Sequence, residues 1–248
     1  MNISKQIITS VILLIFISCS YNNTIITGAK SSKIAIDNSF EKIADKNYTE
    51  YLQVYKQKID TLMNVVIGKA AETMRAHKPE SLLSNFCADV YLKTGSNFLK
   101  YPVDIAIVNL GGLRTQIPEG DIKVRNVFEL MPFENELVIL WLKGDKLNDL
   151  LQYFAAAGGE GVAGLRMEIK NGKAINIKIG GNALDINKKY TIATNDYLAG
   201  GNDKMVQLAR YEKIEFTNIK IRDMLLEHIK AETLKGNKIQ TKLDGRIK

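Results

Sequence analysis

The stretch Ile105-Ala-Ile-Val-Asn-Leu-Gly-Gly-Leu-Arg114 decides how this chain is read. Four consecutive apolar residues, Ile105 to Val108, make the pattern of a short strand buried on both faces. The strand runs into Asn109, two glycines and an arginine. Glycines let backbone approach a ligand closely, because no Cβ stands in the way. The arginine offers a planar fork of donors suited to a carboxylate or phosphate. It can equally end in a surface ion pair, and the segment alone does not choose.

Further along the chain, Leu137 to Leu142 is a second apolar run, fenced by Asn135 and Gly144. Asp145 to Ala157 reads as a helix with Leu147, Leu150, Leu151 and Phe154 on one side. Leu165–Ile169 and Ile175–Ile179 form a hairpin through Asn171-Gly172, a dipeptide suited to a tight turn. Tyr190 to Ala193 is a further strand. Phe216 leads into a last helix with Ile221, Met224, Leu225, His228 and Ile229 inward, His228 being a core or boundary histidine. On the N-terminal side, Glu80 to Lys93 is expected to be helical and to end before Gly95. From Tyr48, apolar residues at 48, 51, 52, 55, 59, 62 and 63 trace one face of an amphipathic helix with no strong cap. Lys33 to Ile36 suggests a short strand. Helices interleaved with strands and hairpins give an α+β chain with mixed β-sheets layered with helices.

The 248 residues favour one domain, and 46% apolar with 25% charged residues is ordinary globular composition. The first residues differ from the rest. Lys5, an apolar core from Ile7 to Ile17, and Ser18-Cys19 follow the layout of a lipoprotein signal peptide, too short to span a membrane. The expected divisions are a signal peptide over 1–18, a lipidated Cys19 with its tether over 19–40, and the domain over 41–248. Export to a bacterial cell envelope and membrane attachment through the lipid follow from that layout. Cys87, among Leu82, Leu83 and Phe86, reads as a small buried hydrophobe rather than a catalytic thiol. The net charge of +7 favours anionic partners such as phosphates, nucleic acid or an acidic membrane surface, but it is spread without blocks and equally fits a solvated surface; no nucleic-acid polymer is expected as partner.

Three more segments add chemistry. Met131-Pro-Phe-Glu-Asn135 and Asn195-Asp-Tyr-Leu-Ala-Gly-Gly-Asn-Asp203 each place an aromatic ring in a loop, and Pro79-Glu-Ser-Leu-Leu-Ser-Asn85 precedes a helix. A ring in a loop can stack on a base, asparagine can satisfy a purine edge, and a carboxylate can accept from sugar hydroxyls. In order and spacing, from Asn64 to Ile247, these segments resemble the C-terminal domain of the 5′-nucleotidases. Arg114 and Phe133 stand 19 residues apart, and Tyr197 leads a Gly-Gly loop to Asp203.

The resemblance implies a nucleotide or nucleoside ligand. Phe133 and Tyr197 would sandwich the base, Arg114 would bind the ribose or phosphate side, and Asn109 and Asn135 would bond the base edge or nearby backbone. Asp203 would hold sugar hydroxyls. A family arginine aligns with His77, with Arg75 two residues away, as one more phosphate or ribose contact. The sequence departs from the family pattern at Tyr197, usually phenylalanine, and at Asn202, where a glycine is usual. Hydrolysis in the family uses two metals held by an N-terminal metallophosphoesterase domain. No such ligand cluster is found here, and the residues before Asn64 read as signal, tether and one helix. No cofactor is expected in this chain, and divalent metals are expected only in a separate metallophosphoesterase partner. Alternatives are a stand-alone nucleoside-binding lipoprotein, or a structural lipoprotein that has lost the ligand.

Overall fold

The computed structural model describes residues 26–248; the signal-peptide reading and Cys19 lie outside them. The chain divides into two compact units, one ending at Tyr51 and one spanning Leu52–Lys248. In the first unit, residues 33–36 form no strand and are exposed, and a 3-10 turn follows over Asn38–Ile43. Helix α1 begins there at Lys46 and ends in the second unit at Met63. Its start is capped after all, since the Asp45 carboxylate accepts from the Tyr48 N–H at 2.9 Å. The apolar stripe anticipated from Tyr48 onward exists, but no residue of α1 is buried. No helix among the described residues is long and apolar enough to cross a membrane.

The second unit is built on a five-stranded sheet. Its strands are β2 (Ile105–Val108), β4 (Glu136–Lys143), β5 (Gly161–Ala163), β9 (Lys189–Asn195) and β10 (Lys213–Lys220). They lie in the order β10-β4-β9-β2-β5. The pair β2 and β9 is parallel, and the other pairs are antiparallel. A small sheet joins β1 (Val66–Ala70) to β3 (Gly120–Lys123), and a third sheet holds β6 (Leu165–Lys170), β7 (Lys173–Ile179) and β8 (Asn182–Ala183). The class is α+β with mixed sheets, as expected.

Alternation along the strands supplies two cores. Ala106, Val108, Leu137, Ile139 and Ala193 face a core filled by α2 (Leu82–Leu99) and by α6 (Ile221–Leu234). The short helix α3 (Val124–Leu130) joins the same side. Ile105, Ile107, Val138, Leu140 and Ile192 face a second core with α4 (Gly144–Ala156) and the β6–β7 hairpin. A sheet covered on both faces needs apolar residues at successive positions, hence the continuous runs in β2 and β4. The hairpin turns through Asn171 and Gly172, both at positive φ (52° and 70°), a conformation asparagine and glycine tolerate best.

Two further expectations are corrected. Helix α2 does not stop before Gly95 but continues to Leu99, and starts at Leu82 behind a Ser81–Ser84 capping box. A Cβ at Gly95 would stand 2.9 Å from Ile139 Cδ1 and 3.1 Å from Ala193 Cβ. The glycine lets the helix lie against the sheet instead of ending it, at about 1 kcal/mol of helix propensity. Phe216 does not introduce the last helix; it lies in β10, an edge strand in which Phe216 is exposed and Thr217 buried, so the apolar residues do not mark its inward face.

The C-terminal Leu243-Asp-Gly-Arg-Ile247 closes the unit. Its backbone bonds β6, with Met167 N–H donating to Arg246 O at 2.9 Å and Lys248 N–H to Met167 O at 3.1 Å. The buried Arg246 guanidinium donates to Asp89 Oδ1 on α2 (2.8 Å), Val162 O on β5 (2.9 Å) and Asp244 Oδ1 (3.1 Å). Burial alone would raise the Asp244 carboxyl, but the Arg246 hydrogen bond and charge outweigh it and hold it below its ordinary value. Removing a buried charge that serves several partners is strongly destabilising. We expect Arg246→Ala to lower unfolding stability at neutral pH by about 3 kcal/mol in denaturant titrations. The depressed Asp244 carboxyl contributes stability above its unfolded pKa, lost as pH falls through its folded one. The Asp244 share of the deficit should therefore shrink in acid.

Candidate functional site

One end of the five-stranded sheet gathers six of the eight ligand-site side chains that sequence reading singled out. The strands β2 and β9 run parallel, so both finish at this end, in Asn109 and Asn195. β4 pairs antiparallel to β9 and starts here, placing Phe133 and Asn135 just ahead of it. β10 also finishes here, giving way to Ile221 at the start of α6. Around this edge lies a cavity of about 360 Å³, a volume suited to a small ligand. Asn109, Arg114, Phe133, Asn135, Tyr197 and Asp203 all line it, beside Tyr91, Asn195, Met131 and Ile221.

Asn109 is the buried centre. Its Nδ2 donates to Asp203 Oδ2 at 2.6 Å, and its Oδ1 accepts from Asn195 Nδ2 at 3.4 Å. The chain then turns through a 3-10 turn, Leu110–Gly112. A Cβ at Gly112 would stand 2.8 Å from Asn109 Oδ1, so the second glycine is required for this asparagine to be where it is. From behind, Glu160 Oε1 accepts the Leu110 N–H at 2.6 Å and fixes the start of the turn. Arg114 is exposed; its Nη1 donates to Gly111 O at 3.2 Å, and it forms no ion pair among the described residues. The surface ion pair allowed by sequence is thus not what holds it.

Tyr197 sits on a single turn of helix, α5 (Asp196–Ala199), whose N-cap is Asn195: its Oδ1 accepts the Leu198 N–H at 2.7 Å. The Tyr197 hydroxyl donates to Asp203 Oδ1 at 2.9 Å, and this bond is the leading reason the phenol titrates above its ordinary value. Asn202, where the loop departs from the family pattern, ties it back by donating to Tyr197 O at 2.7 Å. Phe133 and Tyr197 are 46% and 42% exposed, so both rings remain open to a ligand. Arg75 and His77 do not line the cavity. A bridge between Met74 and Ile117 anchors their segment, and Arg75 Nε donates to Gln116 Oε1 at 2.5 Å.

Residues 65–210 match the family model described as the 5′-nucleotidase C-terminal domain. The chain belongs to the 5′-nucleotidase C-terminal domain family. A 5′-nucleotidase of Vibrio vulnificus is 26% identical over 214 residues, covering 82% of this chain and 37% of that protein. The trifunctional nucleotide phosphoesterase YfkN of Bacillus subtilis is 28% identical over 221 residues, 79% of this chain and 15% of that one. A 5′-nucleotidase precursor from Thermus thermophilus superposes with a TM-score of 0.70 at 26% identity, covering 84% of this chain and 44% of that one. This member of the family thus spans less than half the length of these relatives.

The donor set does not fit a dimetal centre. Among the described residues no group of three or more His, Cys, Asp or Glu is placed to hold a metal, and Asp203 is engaged by Asn109 and Tyr197. No hydrolytic step is assigned to this cleft. Elsewhere, Cys87 is fully buried, which raises its thiol, and His228 is half-buried against the Phe86 ring, both as core residues.

Sequence reasoning missed Asn195, Tyr91 and Glu160. Asn195 stood in a quoted motif, and its place after a strand and three residues before Leu198 marks it as a cap. Tyr91 hid among apolar neighbours, and nothing local marks Glu160. Burial is the main cause raising the Glu160 carboxyl, aided by Asp203, while the Leu110 N–H and Lys78 pull it down. A carboxyl raised by folding stabilises the fold at low pH and loses that contribution as pH rises through its folded pKa. Glu160→Gln keeps an oxygen for Leu110. Its melting temperature should gain on the wild type as pH goes from about 4 to about 7.5; a pH-independent gap would contradict this.

Proposed function

We propose that this chain is the nucleotide- or nucleoside-recognition part of a 5′-nucleotidase-type hydrolase and acts with a separate metallophosphoesterase in nucleotide catabolism. The observation that carries this reading is the convergence of two exposed rings, an arginine without an ion pair among the described residues and a carboxylate on one cavity. Phe133 and Tyr197 would stack on the base, and Asn135, whose side chain bonds no described residue, would meet its edge. Asn109 would position Asp203, and Asp203 would accept from sugar hydroxyls. Arg114 would take the phosphate or ribose side. Arg75 and His77 do not line the cavity and receive no contact in this reading. Metals and the attacking water would come from the partner, and Cys19 would hold the exported chain to the membrane.

The reading is tested by titrating the full chain with AMP and adenosine in a calorimeter. Stacking on an aromatic ring contributes about 1–3 kcal/mol, so Phe133→Ala and Tyr197→Ala should each weaken binding by about 5- to 150-fold. Tyr101→Ala, an exposed ring outside the cavity, should change nothing. Unaltered binding in both cleft variants would remove the nucleoside assignment. A chain that binds AMP yet never copurifies with a metallophosphoesterase from native membranes would favour the stand-alone binder.

A further inference from the structure

The Asp203 carboxylate is held by neutral donors alone. Asn109 Nδ2 reaches Oδ2 and the Tyr197 hydroxyl reaches Oδ1, at 2.6 and 2.9 Å. No ion pair among the described residues neutralises it, and the side chain is exposed at the cavity. An ionised carboxylate accepts about four hydrogen bonds, two per oxygen. With one acceptor site taken on each oxygen, one remains on each. The two vacant sites match in number the two donors of a vicinal diol.

The backbone holds that presentation in place. Asp203 sits at φ 52°, its carbonyl accepts from the Tyr153 hydroxyl at 3.1 Å, and Asn202 closes the loop onto Tyr197 O. Asn109 alone would leave the carboxylate free to swing about its bond to Oδ2. The Tyr197 hydroxyl pins the second oxygen, and the ring that carries it is also the ring offered to a base.

We propose that the Tyr197 hydroxyl, by locking Asp203 as a two-oxygen acceptor, makes Tyr197 a specificity-determining residue that selects ribonucleosides over deoxyribonucleosides. This rests on the nucleoside reading above. Stacking is shared by all nucleosides, whereas both Asp203 contacts can form together only with sugars that carry both hydroxyls. Tyr197→Phe keeps the ring and removes the lock. Asp203→Asn keeps the side-chain size but turns one acceptor into a donor.

The experiment measures dissociation constants of the full chain for adenosine, 2′-deoxyadenosine and 2′,3′-dideoxyadenosine, with melting temperatures as a check of folding. The wild type should prefer adenosine to the dideoxy analogue by about tenfold or more. In Tyr197→Phe and in Asp203→Asn that ratio should fall about fivefold, because the loss is greatest for the sugar with two hydroxyls. A folded Tyr197→Phe with the wild-type ratio would overturn the proposal and leave the nucleoside reading standing. A wild type that binds none of the three would overturn both.

Discussion

Because β2 and β9 run parallel, both strands deliver their last side chains to the same end of the sheet. That pairing sets Asn109 beside Asn195, and from Asn109 a hydrogen bond crosses 94 residues of sequence to Asp203. The antiparallel neighbour β4 then has to begin where β9 ends, which brings in Phe133 and Asn135. No loop reaches across the molecule to assemble this cleft. It is the edge at which four strands start or stop, and short connections suffice.

The cleft combines rigid buried asparagines with exposed rings. Asn109 and Asn195 are 7% and 3% exposed and have partners on both sides, so they fix backbone and leave little freedom. A buried polar network of this kind stabilises the fold only when its members are satisfied, and here Asp203 completes it. The rings at 133 and 197 are held by that frame without being consumed by the core. At the far end of the chain, Arg246 performs the equivalent task for the fold, tying α2 and β5 to the last residues.

Much of this was legible in the sequence. The apolar runs of β2 and β4 announced strands buried on both faces, and Asn171-Gly172 announced its hairpin. The cavity residues were legible as a set because their types, in order, resemble one family. Where the sequence misled, a tertiary contact overrode a local rule. Gly95 looked like a helix stop and is a contact between helix and sheet. Phe216 looked like a helix approach and belongs to an edge strand. Arg75 and His77, matched to a family position by alignment, do not line the cavity. Glu160 was invisible because its task, holding Leu110 N–H from 50 residues away, leaves no local mark.

A crystal structure of the full chain with bound adenosine tests the account most directly. The account requires the purine to lie between the rings of Phe133 and Tyr197, with sugar hydroxyls donating to the two oxygens of Asp203. Adenosine bound elsewhere on the chain, or seated in the cavity with neither ring against its base, would contradict it.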